Sequence, residues 1–209
     1  MVVSLALLAA FFGALSAGPM SDLVGRKPVI IAADMLFTAG SLLMALAESI
    51  EQLIGGRVVV GLAIGIASMV VPVYLSEIAP VAVRGRVVAV FVVVITAGQL
   101  VSSVISLLLG RNWRLMLGLA AIPSFIQGIW MLFMPESQRW LAKNERNNEC
   151  LEVLNKVYEP SSAQAELKAL QDEINHLRPY LDMSECSRYL QLFTKYKKCL
   201  FIGCSLQFF

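Results

Sequence analysis

The sequence predicts an all-α polytopic membrane protein whose apolar spans are followed by a charged helical segment. Three observations lead there. Hydrophobic residues make up 57% of the chain against 15% charged; the uncharged runs approach the ~20 residues that cross a bilayer; and the links between those runs are short. Mean hydropathy is +0.71, on the apolar side of soluble domains. Inside a bilayer every backbone polar group needs a partner within the protein, so such runs read as helices.

The candidate spans run from Met1 to Gly18, Pro28 to Ala47, Leu53 to Glu77, Val87 to Leu109 and Leu115 to Met134, and a further one opens at Cys199 and continues to Phe209. The first run ends in small residues, as a signal peptide does. It lacks a basic leading region and other apolar spans follow, so it reads as a span. Orientation comes from the basic residues of the short links, which mark the cytoplasmic side. Arg26 and Lys27 share a side with Arg84, Arg86, Arg139, Lys143 and Arg146, while Glu48, Glu51, Arg111 and Arg114 lie on the other.

Between Glu136 and Lys198 the chain alternates ten basic and ten acidic side chains with leucine. Ser161 and Gln164 form a capping-box pattern, and Leu167, Leu170, Ile174 and Leu177 recur at helical spacing. Residues 135–198 therefore read as amphipathic helices on the cytoplasmic face, with a partly disordered linker as the alternative.

Net charge is +2 with no block of like charge, which argues against nucleic acid as a partner. Cys150, Cys186, Cys199 and Cys204 lack the paired spacing of a zinc site. His176, the single histidine, sits on the amphipathic helix as an ordinary surface side chain. No cofactor is implied. Nor do the spans hold a nucleophile, base and orienting acid together, so an enzyme finds no support.

Polar residues that interrupt the apolar pattern are the candidates for chemistry. The link from Gly18 to Lys27 reads as a tight turn whose Asp22, Arg26 and Lys27 either sit in a solvated loop or hold two helix ends together. Glu77 in the stretch Pro72 to Pro80, Arg84 beyond it, and Glu136 with Arg139 in the stretch Pro135 to Leu141 add opposite charges at inner helix ends. Together these seven residues are candidates for a cytoplasmic gating network. Arg57 shares a helix face with Gly61 and Gly65; at membrane depth it marks a functional site with an acidic partner, or it snorkels to the headgroups. Gln99, at mid-span, offers donor and acceptor to a polyol, or bonds a neighbouring helix. Asp34 either reaches the charge cluster or stays protonated in the bundle.

In order along the chain, the Gly18 to Lys27 link, the Arg57 to Gly61 element, Pro72 to Pro80 with Arg84 and Gly85, and Pro135 to Leu141 resemble the signature motifs of sugar porters of the major facilitator superfamily. Val59 to Met69, Ile95 to Gln99 and Trp113 to Pro123 are most similar to the proton/myo-inositol cotransporter branch of that family. The resemblance implies an integral multi-pass protein of the plasma membrane that carries a polyol or sugar with protons, through a lipid bilayer, by alternating access. It implies Gln99 as a substrate contact and Arg57 as the partner of a coupling acid. Phe91 and Val92 stand where many relatives place a further sugar-contacting glutamine, which departs from an ordinary hexose mode. The resemblance aligns the chain with spans two to six and the opening of span seven, part of the N-terminal half. Span one and its acid are then absent, and the 209 residues alone are expected to be inactive. A hexose carrier, and a non-transporting product that associates with a full-length carrier, are the alternatives.

Overall fold

Residues 2–110, 112–158 and 160–181 are described by a computed structural model of the chain. Its helices are α1 (Val2–Val24), α2 (Arg26–Ala45), α3 (Ile50–Ile78), α4 (Arg84–Leu109), α5 (Trp113–Leu119), α6 (Ala121–Phe133), α7 (Gln138–Lys143), α8 (Asn147–Val157) and α9 (Pro160–Leu181). Among the described residues there is no strand. Five helical stretches are long and apolar enough to cross a membrane, α5 and α6 forming one together.

Most helix ends fall within three residues of the sequence reading, and two features depart from it further. The stretch after Gly18 is no turn: α1 runs through Pro19 to Val24, and the chain breaks at Gly25 alone, where φ is 110°. That left-handed angle suits glycine. The last apolar run, expected to be continuous, is interrupted at Ala120. Pro123 explains this, because a proline in a helix lacks an N–H and crowds the carbonyl four residues earlier, here that of Leu119. Helix α3 has 29 residues, about 43 Å at ~1.5 Å per residue, which overruns a hydrocarbon core of ~30 Å. Glu77 is thus carried to a membrane surface.

Helix α3 is the hub, packed against α1 and α2, and α2 in turn packs on α5 and α6. Small residues let α1 and α3 meet at backbone distance. A Cβ on Gly61 would overlap the Ala6 carbonyl oxygen, and one on Gly65 that of Ala10. Close approach of this kind is how membrane helices gain dispersion contact where lipid supplies no hydrophobic drive. Gly65→Val should therefore force α1 from α3 and cost about 3 kcal/mol, read as a lower thermal midpoint in detergent. Gly55→Val, where a Cβ meets nothing within 4 Å, should leave the midpoint almost unchanged.

Below the spans, α7, α8 and α9 build a second small core from Trp140, Leu141, Cys150, Leu154, Ala163 and Leu170, with Leu167 and Ile174 against it. The stripe read from the sequence is the packed face of α9; the side chain of Leu177 lies outside the described residues. Because α9 begins at Pro160, Ser161 is inside its first turn and not at its cap. Proline is favoured there, where its missing N–H is not needed. Cys150 is 0% exposed, donates to the Gln138 carbonyl at 3.4 Å, and burial pushes its thiol up to about 11. His176 is exposed. Cys186, Cys199, Cys204 and the expected span from Cys199 lie outside the described residues.

Candidate functional site: a charge latch and a polar stripe

The α1–α2 break brings charges from four parts of the chain together. Arg26, the first residue of α2, turns its guanidinium toward Glu77 on α3, Nε to Oε2 at 3.0 Å and Nη2 to Oε1 at 3.2 Å. Its Nη1 reaches the Asp22 carboxylate at 3.1 Å and the Ser21 carbonyl at 3.1 Å. Both side chains of the Arg26–Glu77 pair are only 11% exposed, so the forked pairing forms largely out of water, where geometry decides its worth. Ser137 Oγ donates to the same Glu77 carboxylate.

Glu136 serves a different group. Its carboxylate accepts from the backbone N–H of Arg26 at 3.0 Å, Lys27 at 3.1 Å and Ser137 at 2.8 Å. Gly25 has no side chain to cap α2, so Glu136 satisfies the orphan donors and meets the positive end of the helix dipole. A Cβ at Gly25 would lie 2.5 Å from its Oε2, a second reason for glycine. Lys27 Nζ donates to the Leu132 carbonyl at the end of α6, at 2.8 Å.

Five of the seven charged residues singled out in the sequence therefore meet: Asp22, Arg26, Lys27, Glu77 and Glu136. Two do not. Arg139 pairs across the helical segment with Glu173 of α9 at 3.1 Å, in the open. Arg84 is half-buried, makes no ion pair among the described residues, and its Nε has no partner. The sequence reading overlooked Tyr74, whose hydroxyl donates to the Pro135 carbonyl at 2.7 Å. It also overlooked Trp140, whose Nε1 donates to the Asp22 carbonyl at 3.1 Å, and Lys143, 3.4 Å from the Asp22 carboxylate. Tyr74 and Trp140 lay within the quoted motifs; only a known helix register would have shown them facing one point.

Arg57 lies near the opposite end of α3, half-buried, with its Nε buried and without a partner. No ion pair reaches it among the described residues. Gln99 is exposed at the middle of α4, a helix with no buried residue. Thr96, Gln99 and Ser103 recur at helical spacing on it, each exposed, and their hydroxyls bond only back to α4 carbonyls, Thr96 to Val92 at 3.0 Å and Ser103 to Gln99 at 2.9 Å. Behind α4 lies a cavity of about 920 Å³ bordered by α2, α3, α5 and α6, into which Asp34, Ser68, Ser102, Ser124 and Gln127 bring polar atoms.

The helical arrangement has known counterparts. The proton:xylose symporter XylE of E. coli, of the major facilitator superfamily, superposes with a TM-score of 0.81 over 85% of this chain and 43% of its own, at 23% identity. The fold is accordingly that of part of such a multi-pass transporter. The chain belongs to the Sugar (and other) transporter family, which matches residues 1–209. The proton myo-inositol cotransporter of Homo sapiens is 37% identical over 216 residues, covering 100% of this chain and 33% of that protein. Probable inositol transporter 2 of Arabidopsis thaliana is 40% identical over 177 residues, 83% of this chain and 30% of that protein. The chain thus spans about a third of the length of the curated relatives it matches.

Proposed function

We propose that these residues form most of one half of a proton-coupled polyol carrier, with myo-inositol as its substrate, working in the full-length protein by alternating access at the plasma membrane. One observation carries this reading: Thr96, Gln99 and Ser103 make an exposed polar stripe at the middle of a largely apolar spanning helix. Lipid is a poor neighbour for an amide, so the stripe faces a water-filled path, and its donors and acceptors suit the hydroxyls of a polyol. The relatives named for inositol support the substrate. Asp22, Arg26, Lys27, Glu77 and Glu136 latch the cytoplasmic end, and breaking that latch accompanies opening on that side. Arg84 and Arg139, outside this latch here, are contacts of the opened state in this reading.

The test is uptake of radiolabelled myo-inositol by the full-length carrier in proteoliposomes with an inward proton gradient. Saturable uptake competed by myo-inositol is expected; competition by glucose alone would make it a hexose carrier. Arg57→Ala should reduce proton-driven accumulation more than substrate exchange, because an unpaired cation at membrane depth calls for a titrating acidic partner. Equal loss of both would make Arg57 structural. Gln99→Ala should weaken apparent polyol affinity by about tenfold, the worth of one or two hydrogen bonds, with normal membrane insertion. Unchanged affinity would remove Gln99 from the path.

A further inference from the structure

Asp34 is a carboxylate in the middle of α2 that takes no part in the charge latch. It is 7% exposed, and its Oδ2 has no hydrogen-bond partner. The Thr38 and Ser124 hydroxyls donate to its backbone carbonyl at 2.8 and 2.9 Å, so they hold the main chain and leave the carboxyl free. Gly128 of α6 leaves the space beside it, a Cβ there falling 3.9 Å from Oδ2. The side chain borders the cavity behind α4.

The elements around it offer no counter-charge at this level. On α2 itself Arg26 and Lys27 stand at the inner end; α1 carries Asp22 at its inner end; α3 carries Glu51 and Arg57 toward the outer end and Tyr74 and Glu77 toward the inner; α5 carries Arg114 at its outer end; α6 has no charged residue, and α4 has Arg84 and Arg86 at its inner end. No ion pair joins Asp34 to any described residue. An ionised carboxylate so placed, 7% exposed and with no cation beside it, costs several kcal/mol. A carboxylic acid there needs one acceptor, which a water entering the cavity beside Ser68, Ser102, Ser124 and Gln127 would provide.

We propose that Asp34 is a proton-binding site inside this helical bundle, separate from Arg57 and from the Gln99 stripe, that exchanges its proton with water through the cavity between α2, α3, α4 and α6. The step is a proton transfer: a hydronium in the cavity gives its proton to Oδ2, its own O–H bond breaking as the carboxyl O–H forms and water being left, and the reverse returns the proton to water. The inference deepens the proton-coupled reading by adding a titrating group on the α2 side of the bundle.

The test uses the full-length carrier in nanodiscs, without substrate, followed by infrared difference spectroscopy across a pH titration. A carboxylic-acid carbonyl band that disappears with rising pH is expected; it should be missing in Asp34→Asn and displaced in Asp34→Glu. Spectra of Asp34→Asn that match the wild type overturn the proposal, and where the asparagine variant does not fold, an undisplaced band in Asp34→Glu does so. In proteoliposomes, Asp34→Asn should lower proton-driven accumulation by about tenfold per unit of pH gradient, the worth of one coupled proton, and keep counterflow exchange within about twofold of wild type. Unchanged accumulation would likewise overturn the coupling. Since the infrared arm needs no transported substrate, failure of the carrier reading would show separately, as absence of saturable uptake in the wild type.

Discussion

Arg26→Ala is expected to shift the full-length carrier toward the state open on the latch side by on the order of a hundredfold. Removing the guanidinium leaves Glu77, 11% exposed, without its cation, and deprives the Asp22 carboxylate and Ser21 carbonyl of a donor. Breaking one partner of a largely buried pair costs about 3 kcal/mol, at the low end of the range because this site lies beside water. That cost falls on the latched state alone, so it appears as a change of population. Spin-label distances between the ends of α3 and the opposing half would report it. Arg26→Lys should recover part of the effect, having a charge but no planar fork. The double variant Arg26→Ala with Glu77→Ala should be less perturbed than the sum of the singles, because no orphaned charge remains. Wild-type populations in Arg26→Ala would show that the pair does not hold the gate.

How much of this was legible beforehand follows from what periodicity and composition can carry. Long uncharged runs have few alternatives to helix inside a bilayer, so the bodies of α2, α3 and α4 stand out in the sequence. The motif that supplies Glu136 announced a charge near Arg26, but not that its carboxylate caps α2 through backbone N–H groups, since composition says nothing of where a main-chain donor points. Arg139 looked equivalent to Arg26; the two separate because α7 turns Arg139 outward, to Glu173, and Ser137 and Trp140 inward. The Gly18 to Lys27 link reads as a tight turn from its composition, yet α1 continues through Pro19 to Val24 and breaks only at Gly25. Local propensity yields there to packing against α3, where Ala17 is 0% exposed and sits in one core with Ile66 and Val70. Asp34 admitted two readings from sequence. The fold excludes the first, because Asp34 lies about two turns along α2 from Arg26 and faces α6 instead of the latch.

The 209-residue chain on its own is expected to show no saturable transport. Alternating access needs two helical halves that rock about a site enclosed between them, whereas here α4 has no buried residue and its polar stripe is exposed. In a bilayer Thr96, Gln99 and Ser103 would face lipid, or the helix would rotate and lose its fit to α3. Arg57, with no ion pair among the described residues, adds a cost of a few kcal/mol at membrane depth unless its end shifts toward the headgroups. Both terms act on a bundle that buries few side chains, so the isolated chain should also unfold at low temperature and be degraded readily. Purified chain reconstituted alone should take up radiolabelled myo-inositol and glucose under an inward proton gradient no faster than protein-free liposomes. Co-expression with the remaining two thirds of a curated relative should raise its stability and restore uptake. Saturable uptake by the chain alone would mean that copies of it enclose a pathway between them, with the exposed α4 stripes facing one another across it.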